Sequence, residues 1–127
     1  MLGKRSQRGK AKKSRYRCKG RIWVEGTEGT FLGYGRIVLL ERIREYGSIT
    51  KAAKSMEMSY RHAWELVESM NRQAPNPLVE TATGGRGGGG TRLTDEGGNA
   101  VALFRKFYEE FQKFLTGQER LLTFLKK

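Results

Sequence analysis

The stretch GSITKAAKSMEMSYRHAWELVESMNR, Gly47 to Arg72, decides how this chain folds. Its pattern predicts a short helix from Ile49 to Ser55 or Met56, a tight turn, and a longer helix from Tyr60 to about Asn71. Ser48 and Ser59 stand directly before the two helices, where a hydroxyl can accept a bond from an otherwise unpaired amide. The stretch therefore predicts two capped helices joined by a turn.

The second helix has one apolar face at the helical period of three and four residues. Small Ala52 and Ala53 in the first helix would allow the two helices to cross closely, as a helix-turn-helix requires. In that motif the second helix enters the DNA major groove with its first turn. An ordinary αα-hairpin in a helical core is the alternative that this stretch leaves open. The apolar face consists of Ala63, Leu66, Val67 and Met70.

The start of the second helix carries the side chains that we expect at base edges. Thr50 and Lys51 in the preceding helix are expected at phosphates. Glu65 and Glu68 would repel phosphates, so that the first turn alone should enter the groove deeply. Glu65 also follows Arg61 at the i, i+4 spacing of a helical ion pair. The expected major-groove residues are Ser59, Tyr60, Arg61 and His62.

The charge balance points to a polyanionic partner. The 127 residues contain 25 Lys plus Arg against 13 Asp plus Glu, a formal net charge of +12. Such an excess favours nucleic acid or an anionic membrane surface. Cys18 is the single cysteine, which fits a reducing compartment, and no stretch has the length and apolarity of a membrane span or a signal-peptide core. We expect a soluble cytoplasmic protein with a single modest domain.

Residues 1 to 19 carry nine Lys and Arg and no acidic residue, and they are nearly without apolar side chains. We expect a disordered basic arm, which either follows the DNA backbone or merely solubilises the chain. From Arg21 the pattern changes to a β-hairpin, with Ile22 to Val24 as one strand and Thr30 to Leu32 as the other. A helix from Arg36 to Tyr46, stopped by Gly47, completes a three-helix core.

A second hairpin follows the recognition helix. Pro75 and Pro77 end the helical run, and residues 78–81 and 91–94 are plausible partner strands. The glycine-rich segment between them, with Arg86, would let the backbone approach a phosphate closely. Together with Arg92 this describes the wing of a winged helix. A flexible linker is the alternative, and no Gly-Lys-Ser/Thr supports a nucleotide loop.

The last helix is capped by Thr94 and carries an aromatic stripe. The stripe is larger than a small domain needs for its own core, so we interpret it as a dimerisation seam, with packing on its own core as the alternative. A dimer would place two recognition helices at matching half-sites. Beyond Gly117 the apolar pattern continues into a possible second segment. The seam residues are Val101, Phe104, Tyr108, Phe111 and Leu115.

The sequence gives little support for a catalytic site or a metal site. His62 and Glu65 have a spacing that could supply two metal ligands, but no further histidine or nearby thiol completes a site. Because the sole histidine lies on the groove-facing helix, no nucleophile arrangement is indicated. We therefore expect no enzyme, no metal and no cofactor.

The segments GSITKAAKSMEMSYRHAWELVESMN and PLVETATGGRGGGGTRLT, with the lead-in FLGYGRIVLLERI, resemble the DNA-binding domain of the ModE family of molybdate-responsive transcription regulators. The resemblance covers roughly Arg21 to Phe111. It implies a winged helix-turn-helix dimer that binds a palindromic operator. LysR-type regulators share the helix-turn-helix but have a less glycine-rich wing. The family's molybdate-binding half has no counterpart here, so we do not expect direct molybdate binding.

The sequence thus predicts a mainly α fold with small β-hairpins, a winged helix-turn-helix with a C-terminal dimerisation helix. We expect a homodimeric, sequence-specific binder of double-stranded DNA that regulates transcription. A non-specific chromosome-architecture protein driven by the basic arm is the main alternative, and an adaptor that docks another protein on its aromatic helix is a second. The expected divisions are 1–19 (arm), 20–94 (DNA-binding domain) and 95–127 (dimerisation helix or helices).

Overall fold

The computed structural model describes residues 15–81 and 90–125. They form two compact units, which we call the body (residues 22–108) and the terminal unit (residues 15–21 and 109–125). No helix among these residues has both the length and the apolarity needed to cross a bilayer. Residues 1–14 of the predicted basic arm lie outside the described residues, as do residues 82–89 of the predicted wing tip.

The body begins with a tight antiparallel hairpin of β1 (Val24–Gly26) and β2 (Gly29–Leu32). The hairpin itself was predicted, but the first strand starts two residues later than expected and the connection is shorter. Gly26 pairs with Gly29, so that two residues close the turn. Gly29 makes this possible because its φ of 95° lies in the left-handed region that glycine adopts without a Cβ penalty.

Helix α1 (Tyr34–Tyr46) starts two residues before the predicted position and ends at the predicted one. Gly47 is the C-cap, with a φ of 67°, and its amide donates to the carbonyl of Ile43 at 2.8 Å. The left-handed conformation explains why glycine stops this helix. Four residues of the helix are fully or almost fully buried: Ile37, Leu39, Leu40 and Ile43.

The predicted helix-turn-helix is confirmed. Helix α2 (Ile49–Ser55) and helix α3 (Tyr60–Gln73) are joined by a short turn in which Glu57 has a φ of 55°. Ala52 and Ala53 of α2 are buried, so the small side chains lie where the helices approach each other. The predicted apolar face of α3 also packs inward: Ala63, Val67 and Met70 are buried and Leu66 packs against the core.

The second hairpin consists of β3 (Val79–Thr81) and β4 (Thr91–Leu93), as predicted. The strands pair antiparallel, with Thr81 opposite Thr91 and Val79 opposite Leu93. The backbone amide of Thr91 donates to the carbonyl of Gly47 at 3.0 Å, which places the start of β4 beside the turn that leads into α2. A helix-turn-helix followed by such a hairpin is a winged helix-turn-helix.

Helix α4 (Asp95–Gln118) starts at the predicted cap, where the Thr94 hydroxyl accepts from the amide of Gly97 at 3.0 Å. Asp95 and Glu96 occupy the first turn, where the helix dipole favours acids. Within the body the helix packs on the core through Val101 and Phe104, which are 4% and 0% exposed. A 3₁₀ segment, Glu119–Leu125, follows α4.

The predicted dimerisation seam needs correction at Val101 and Phe104. Val101 and Phe104 are core residues of their own body, because the apolar stripe of α4 covers the three-helix core instead of facing outward. Tyr108 is half-buried, and its ring lies 5.1 Å from that of Tyr34. The apolar stripe is present on α4 as predicted, but those of its residues that lie in the body pack against the core of the same chain.

In the terminal unit, the segment 15–21 lies beside the end of α4. The amide of Cys18 donates to a carboxylate oxygen of Glu119 at 2.9 Å. A Cβ on Gly20 would lie 3.2 Å from Phe111 and 4.0 Å from Leu115. These two predicted seam residues are half-buried next to their own chain.

Candidate nucleic-acid interface

The first turn of α3 presents its side chains to solvent. Ser59 adopts an extended backbone conformation and its hydroxyl accepts from the amide of His62 at 3.0 Å. This cap holds the first turn in place and still leaves the hydroxyl proton free to be donated. Tyr60 is 52% exposed, and Arg61 and His62 are exposed as well. The four predicted groove residues thus lie together on one accessible turn.

Arg61 is held by a neighbour on its own helix. Its Nε donates to the Glu65 carboxylate at 3.4 Å, the i, i+4 pair expected from the sequence. The pair is highly exposed, at 85% for the Arg61 side chain, so it contributes little to stability. Among the described residues, Arg61 contacts Glu65 through its Nε alone. The two terminal nitrogens therefore stay available for the O6 and N7 atoms of a guanine.

Helix α2 presents a second exposed polar surface. The hydroxyl of Ser48 accepts from the amide of Lys51 at 3.1 Å, which confirms the predicted cap. Thr50 and Lys51 are exposed, as a phosphate contact requires. Lys54 is exposed too and lies one turn after Lys51, so the two ammonium groups share a face. Sequence reasoning missed Lys54, although its i, i+3 spacing from Lys51 could have indicated it.

On the wing, Arg92 is exposed but paired. Its Nε donates to the carboxylate of Glu80, directly opposite on β3, at 2.8 Å, and a terminal nitrogen contacts the same oxygen. The negative charge of Glu80 offsets part of the positive charge with which Arg92 was expected to attract phosphate. The cross-strand register explains the pair, and the predicted strands 78–81 and 91–94, aligned antiparallel end to end, could have indicated it. Arg86 lies outside the described residues.

The far end of α3 is fixed to the N-terminal hairpin. The Gln73 amide donates to the Thr30 carbonyl at 2.9 Å and accepts from the Glu28 amide at 3.1 Å. Arg72 donates to the Glu28 carboxylate at 3.0 Å. The hairpin, whose role the sequence left open, thus supports the recognition helix at the end opposite to its reading turn.

Arg36 of α1 contacts α3 closer to its middle. One of its terminal nitrogens donates to the Ser69 hydroxyl at 3.1 Å. Partial burial lowers the pKa of the Arg36 guanidinium from its ordinary value. An arginine stays charged through the physiological range despite such a shift, so this contact is charge-assisted.

Within residues 15–81 and 90–125, no three His, Cys, Asp or Glu side chains gather into a possible metal site. His62 stands on the exposed turn, and Cys18 is half-buried in the terminal unit. The exposed polar groups of α2 and α3 suit separate contacts with a charged, extended ligand.

The sequence from residue 35 to 98, which runs from α1 through the wing to the start of α4, matches the family model of bacterial regulatory helix-turn-helix proteins of the LysR family. The chain belongs to this family. The match includes both helices of the helix-turn-helix and both strands of the second hairpin.

Individual relatives narrow the assignment within the family. The molybdenum transport protein ModE of Azotobacter vinelandii is 46% identical over 99 residues, which is 78% of this chain and 37% of that protein. The transcriptional regulator ModE of Haemophilus influenzae is 42% identical over 83 residues, 65% of this chain and 32% of that protein. The molybdenum-pterin-binding protein MopB of Rhodobacter capsulatus is 36% identical over 106 residues, 84% of this chain and 39% of that protein.

The resemblance to ModE is thereby confirmed. The chain spans between 32% and 39% of the length of these three relatives. What the complete relatives bind or regulate therefore bears on this chain as a hypothesis, to be argued from its own surface.

Proposed function

We propose that this protein binds duplex DNA at specific sites and regulates transcription. The observation that carries the proposal is the exposed, serine-capped first turn of α3, with Tyr60, Arg61 and His62 on a winged helix-turn-helix body. A turn of this kind fits the major groove, where tyrosine and arginine can contact base edges. Several relatives bear the name of transcriptional regulators, which supports the same assignment.

The charged side chains support different roles for α2 and α3 in DNA binding. Lys51 and Lys54 on α2 suit phosphates, which position the protein without reading sequence. Arg61 keeps its terminal nitrogens for a base, because Glu65 engages its Nε. Glu65 and Glu68, both exposed, make deep insertion of the middle of α3 unfavourable. Sequence preference should therefore arise mainly from the first turn.

We further propose that the protein acts as a homodimer through exposed apolar side chains of each unit, which differ from the predicted seam residues. In the body, Leu103 and Phe107 of α4 are exposed, at 62% and 41%. In the terminal unit, Phe114 is 60% exposed, and Leu121 and Leu125 are also exposed. Large apolar side chains left in solvent are typical of protein interfaces. Two copies would present two reading turns to a two-fold symmetric site.

Selection from a random oligonucleotide pool, followed by titration of the selected duplex against a scrambled duplex, tests the proposal. We expect a recurring two-fold symmetric motif and tighter binding to it by at least about 10³-fold at physiological salt. Absence of any enriched motif would contradict site-specific binding.

A non-specific binder is the competing function, favoured by the nine Lys and Arg of residues 1–19. In that case all duplexes would bind alike, with a steep salt dependence, and deletion of residues 1–19 would abolish binding. If the protein instead fails to bind any duplex and is monomeric at micromolar concentration, a protein-interaction adaptor becomes the better explanation.

A further inference from the structure

Asn71, in the last turn of α3, hydrogen-bonds to the wing through its side chain. Its Oδ1 accepts from the amides of Leu78 and Val79, at 2.8 and 3.2 Å. Its Nδ2 donates to the carbonyl of Val79 at 2.9 Å. Three bonds thus join the recognition helix to the first residues of the wing. Only a side chain that both accepts and donates, as an amide does, can make this set.

Between α3 and β3 the chain is also held at its wing end by Thr94, whose amide and hydroxyl donate to the carbonyl of Leu78 and whose hydroxyl donates to the carbonyl of Pro77. Pro75 and Pro77 have no amide hydrogen to donate. Among the described residues, Asn71 is the one residue of α3 whose side chain hydrogen-bonds to the wing. On the opposite side the wing is held through backbone atoms, since Thr91 donates to the carbonyl of Gly47. Asn71 is thus the side-chain anchor of the wing on α3, and the hydroxyl of Thr94, at the start of α4, is a separate side-chain contact to the same segment.

We propose that Asn71 is a positioning residue, which sets the wing at the orientation where wing and reading turn meet one duplex together. This inference rests on the proposed DNA-binding function. Val79 stands at the base of the hairpin, and Thr81 lies about 7 Å farther along β3. A small change of angle at Asn71 is therefore enlarged along the hairpin. Fixing the wing beforehand also removes an ordering cost from the binding step.

A simpler role for Asn71 is to satisfy two amides of buried residues, since Leu78 and Val79 are almost fully buried. Such a role would affect stability without altering how the folded protein meets DNA. The two roles predict a different salt dependence of DNA binding for a variant that lacks the Asn71 side chain. Asn71 is uncharged, so its removal deletes no phosphate contact of its own. A lower salt slope in the folded variant would mean that another element has lost its phosphates.

The experiment compares four proteins in salt titrations with the selected duplex: wild type, Asn71→Ala, a short-wing form, and the two changes combined. In the short-wing form Asn-Gly replaces residues 82–90. This keeps Thr81 opposite Thr91 across a two-residue hairpin loop. Asn76→Ala is the matched control, since Asn76 is exposed and its side chain has no hydrogen bond within the described part of the chain. Circular dichroism establishes that each variant is folded at the assay temperature.

We expect Asn71→Ala to bind about tenfold more weakly, with a salt slope lower by about one. In the short-wing form the same substitution should change neither quantity, because the wing tip is already absent. Asn76→Ala should match wild type. Should Asn71→Ala not fold, Asn71→Asp retains both acceptor contacts but sets a carboxylate oxygen against the Val79 carbonyl in place of the donated bond. Because it also adds a negative charge, it is compared between the long-wing and the short-wing form, which share that charge. We expect it to show a smaller loss in the same direction.

An unchanged salt slope, or an equal loss with the long and the short wing, would overturn the positioning role. Failure of the proposed function is recognised separately, because wild type itself would then bind no duplex. The same duplex and the same salt series thus distinguish an error about Asn71 from an error about DNA binding.

Discussion

The guanidinium of Arg105 on α4 and the carboxylate of Glu41 on α1 form a two-pronged ion pair, with N–O distances of 2.9 and 2.7 Å. Arg105 also lies over the ring of Tyr34, 5.2 Å from its centroid. The hydrogen bond from Arg105 lowers the pKa of Glu41 from its ordinary value and outweighs the opposing effect of partial burial. The hydrogen bond to Glu41 is the main cause that raises the pKa of Arg105, and the nearby Tyr34 is the second. This cluster fixes the middle of α4 to helix α1 of the three-helix core.

The Glu41 pair should make folding stability depend on acidity. Because the pKa of Glu41 is lower in the folded than in the unfolded chain, its stabilisation is complete above the ordinary glutamate pKa, about 4.3, and is lost as the pH falls through the folded pKa. Glu41→Gln should lower the free energy of unfolding by about 1 kcal/mol at pH 7, a modest value because the pair is part-exposed. Near pH 3 the difference should shrink. Urea unfolding at both pH values measures it.

Glu109→Gln is the control for this effect, since the exposed Glu109–Lys113 pair has a separation of 3.9 Å. Its removal should change stability by less than about 0.5 kcal/mol. An equal effect of Glu41→Gln at pH 7 and pH 3 would show that lost packing, not the ion pair, is responsible.

Arg61→Ala should weaken binding to the selected site by about 1–3 kcal/mol and relax the preference at one base position. The reason is that its terminal nitrogens are free to make a two-pronged guanine contact. Arg72→Ala is the matched control: it removes an arginine of the same helix that is already paired with Glu28, at the end away from the reading turn. Fluorescence anisotropy with the selected and the scrambled duplex measures both. Equal losses on the two duplexes for Arg61→Ala would assign it to phosphate.

Lys51→Ala and Lys54→Ala should each weaken all duplexes by a similar factor and lower the salt slope by about one. Both ammonium groups are exposed on one face of α2, where they can neutralise phosphates without reading bases. Titrations from about 50 to 200 mM salt determine the slope. A change of base preference in either variant would instead place α2 in the groove.

The elements of the body could largely be predicted because local rules fix them. Ser48, Ser59 and Thr94 each cap a helix with the hydroxyl, as their position in the sequence indicates. Gly47 ends α1 because its left-handed backbone excludes most other residues. Such signals act within four residues of the chain, so one sequence suffices to find them.

The direction of the aromatic stripe on α4 could not be predicted in this way. Val101 and Phe104 have the spacing of either a core face or a dimer seam, and the choice depends on whether the three-helix core leaves a surface open. Likewise, Asn71 reaches Leu78 across a loop. These contacts depend on tertiary packing, which no local pattern specifies.

Phe114→Ser should weaken self-association at least about tenfold and leave the stability of the monomer nearly unchanged. Phe114 is 60% exposed, so the folded chain loses little packing with its ring. Phe104→Ala is the contrasting variant, expected to cost about 3–5 kcal/mol of folding stability because Phe104 is fully buried. Sedimentation equilibrium and urea unfolding separate the two effects. Unaltered association of Phe114→Ser would remove this side chain from the dimer surface.

Two adjacent glycines of α4 provide the sharpest test of how the helix meets the wing. Gly97 is buried, and a Cβ there would overlap the carbonyl oxygen of Leu78 and lie 2.6 Å from Cδ1 of Leu93. Because the Leu78 oxygen belongs to the backbone, it cannot rotate away as a flexible side chain could. Gly97→Ala should therefore lower the free energy of unfolding by about 1–3 kcal/mol, despite the better helix propensity of alanine.

Gly98→Ala should act in the opposite direction. A Cβ on Gly98 would meet only Nη1 of Arg44, at 3.9 Å, within the described structure. The substitution adds helix propensity without a clash, so we expect stabilisation of up to about 1 kcal/mol. Thermal unfolding of both variants beside wild type measures the contrast. Because intrinsic helix propensity favours alanine equally at both positions, opposite signs would demonstrate close packing of α4 on the base of the wing. Stabilisation by both substitutions would instead mean that Gly97 has room for a side chain and that the helix lies farther from β3.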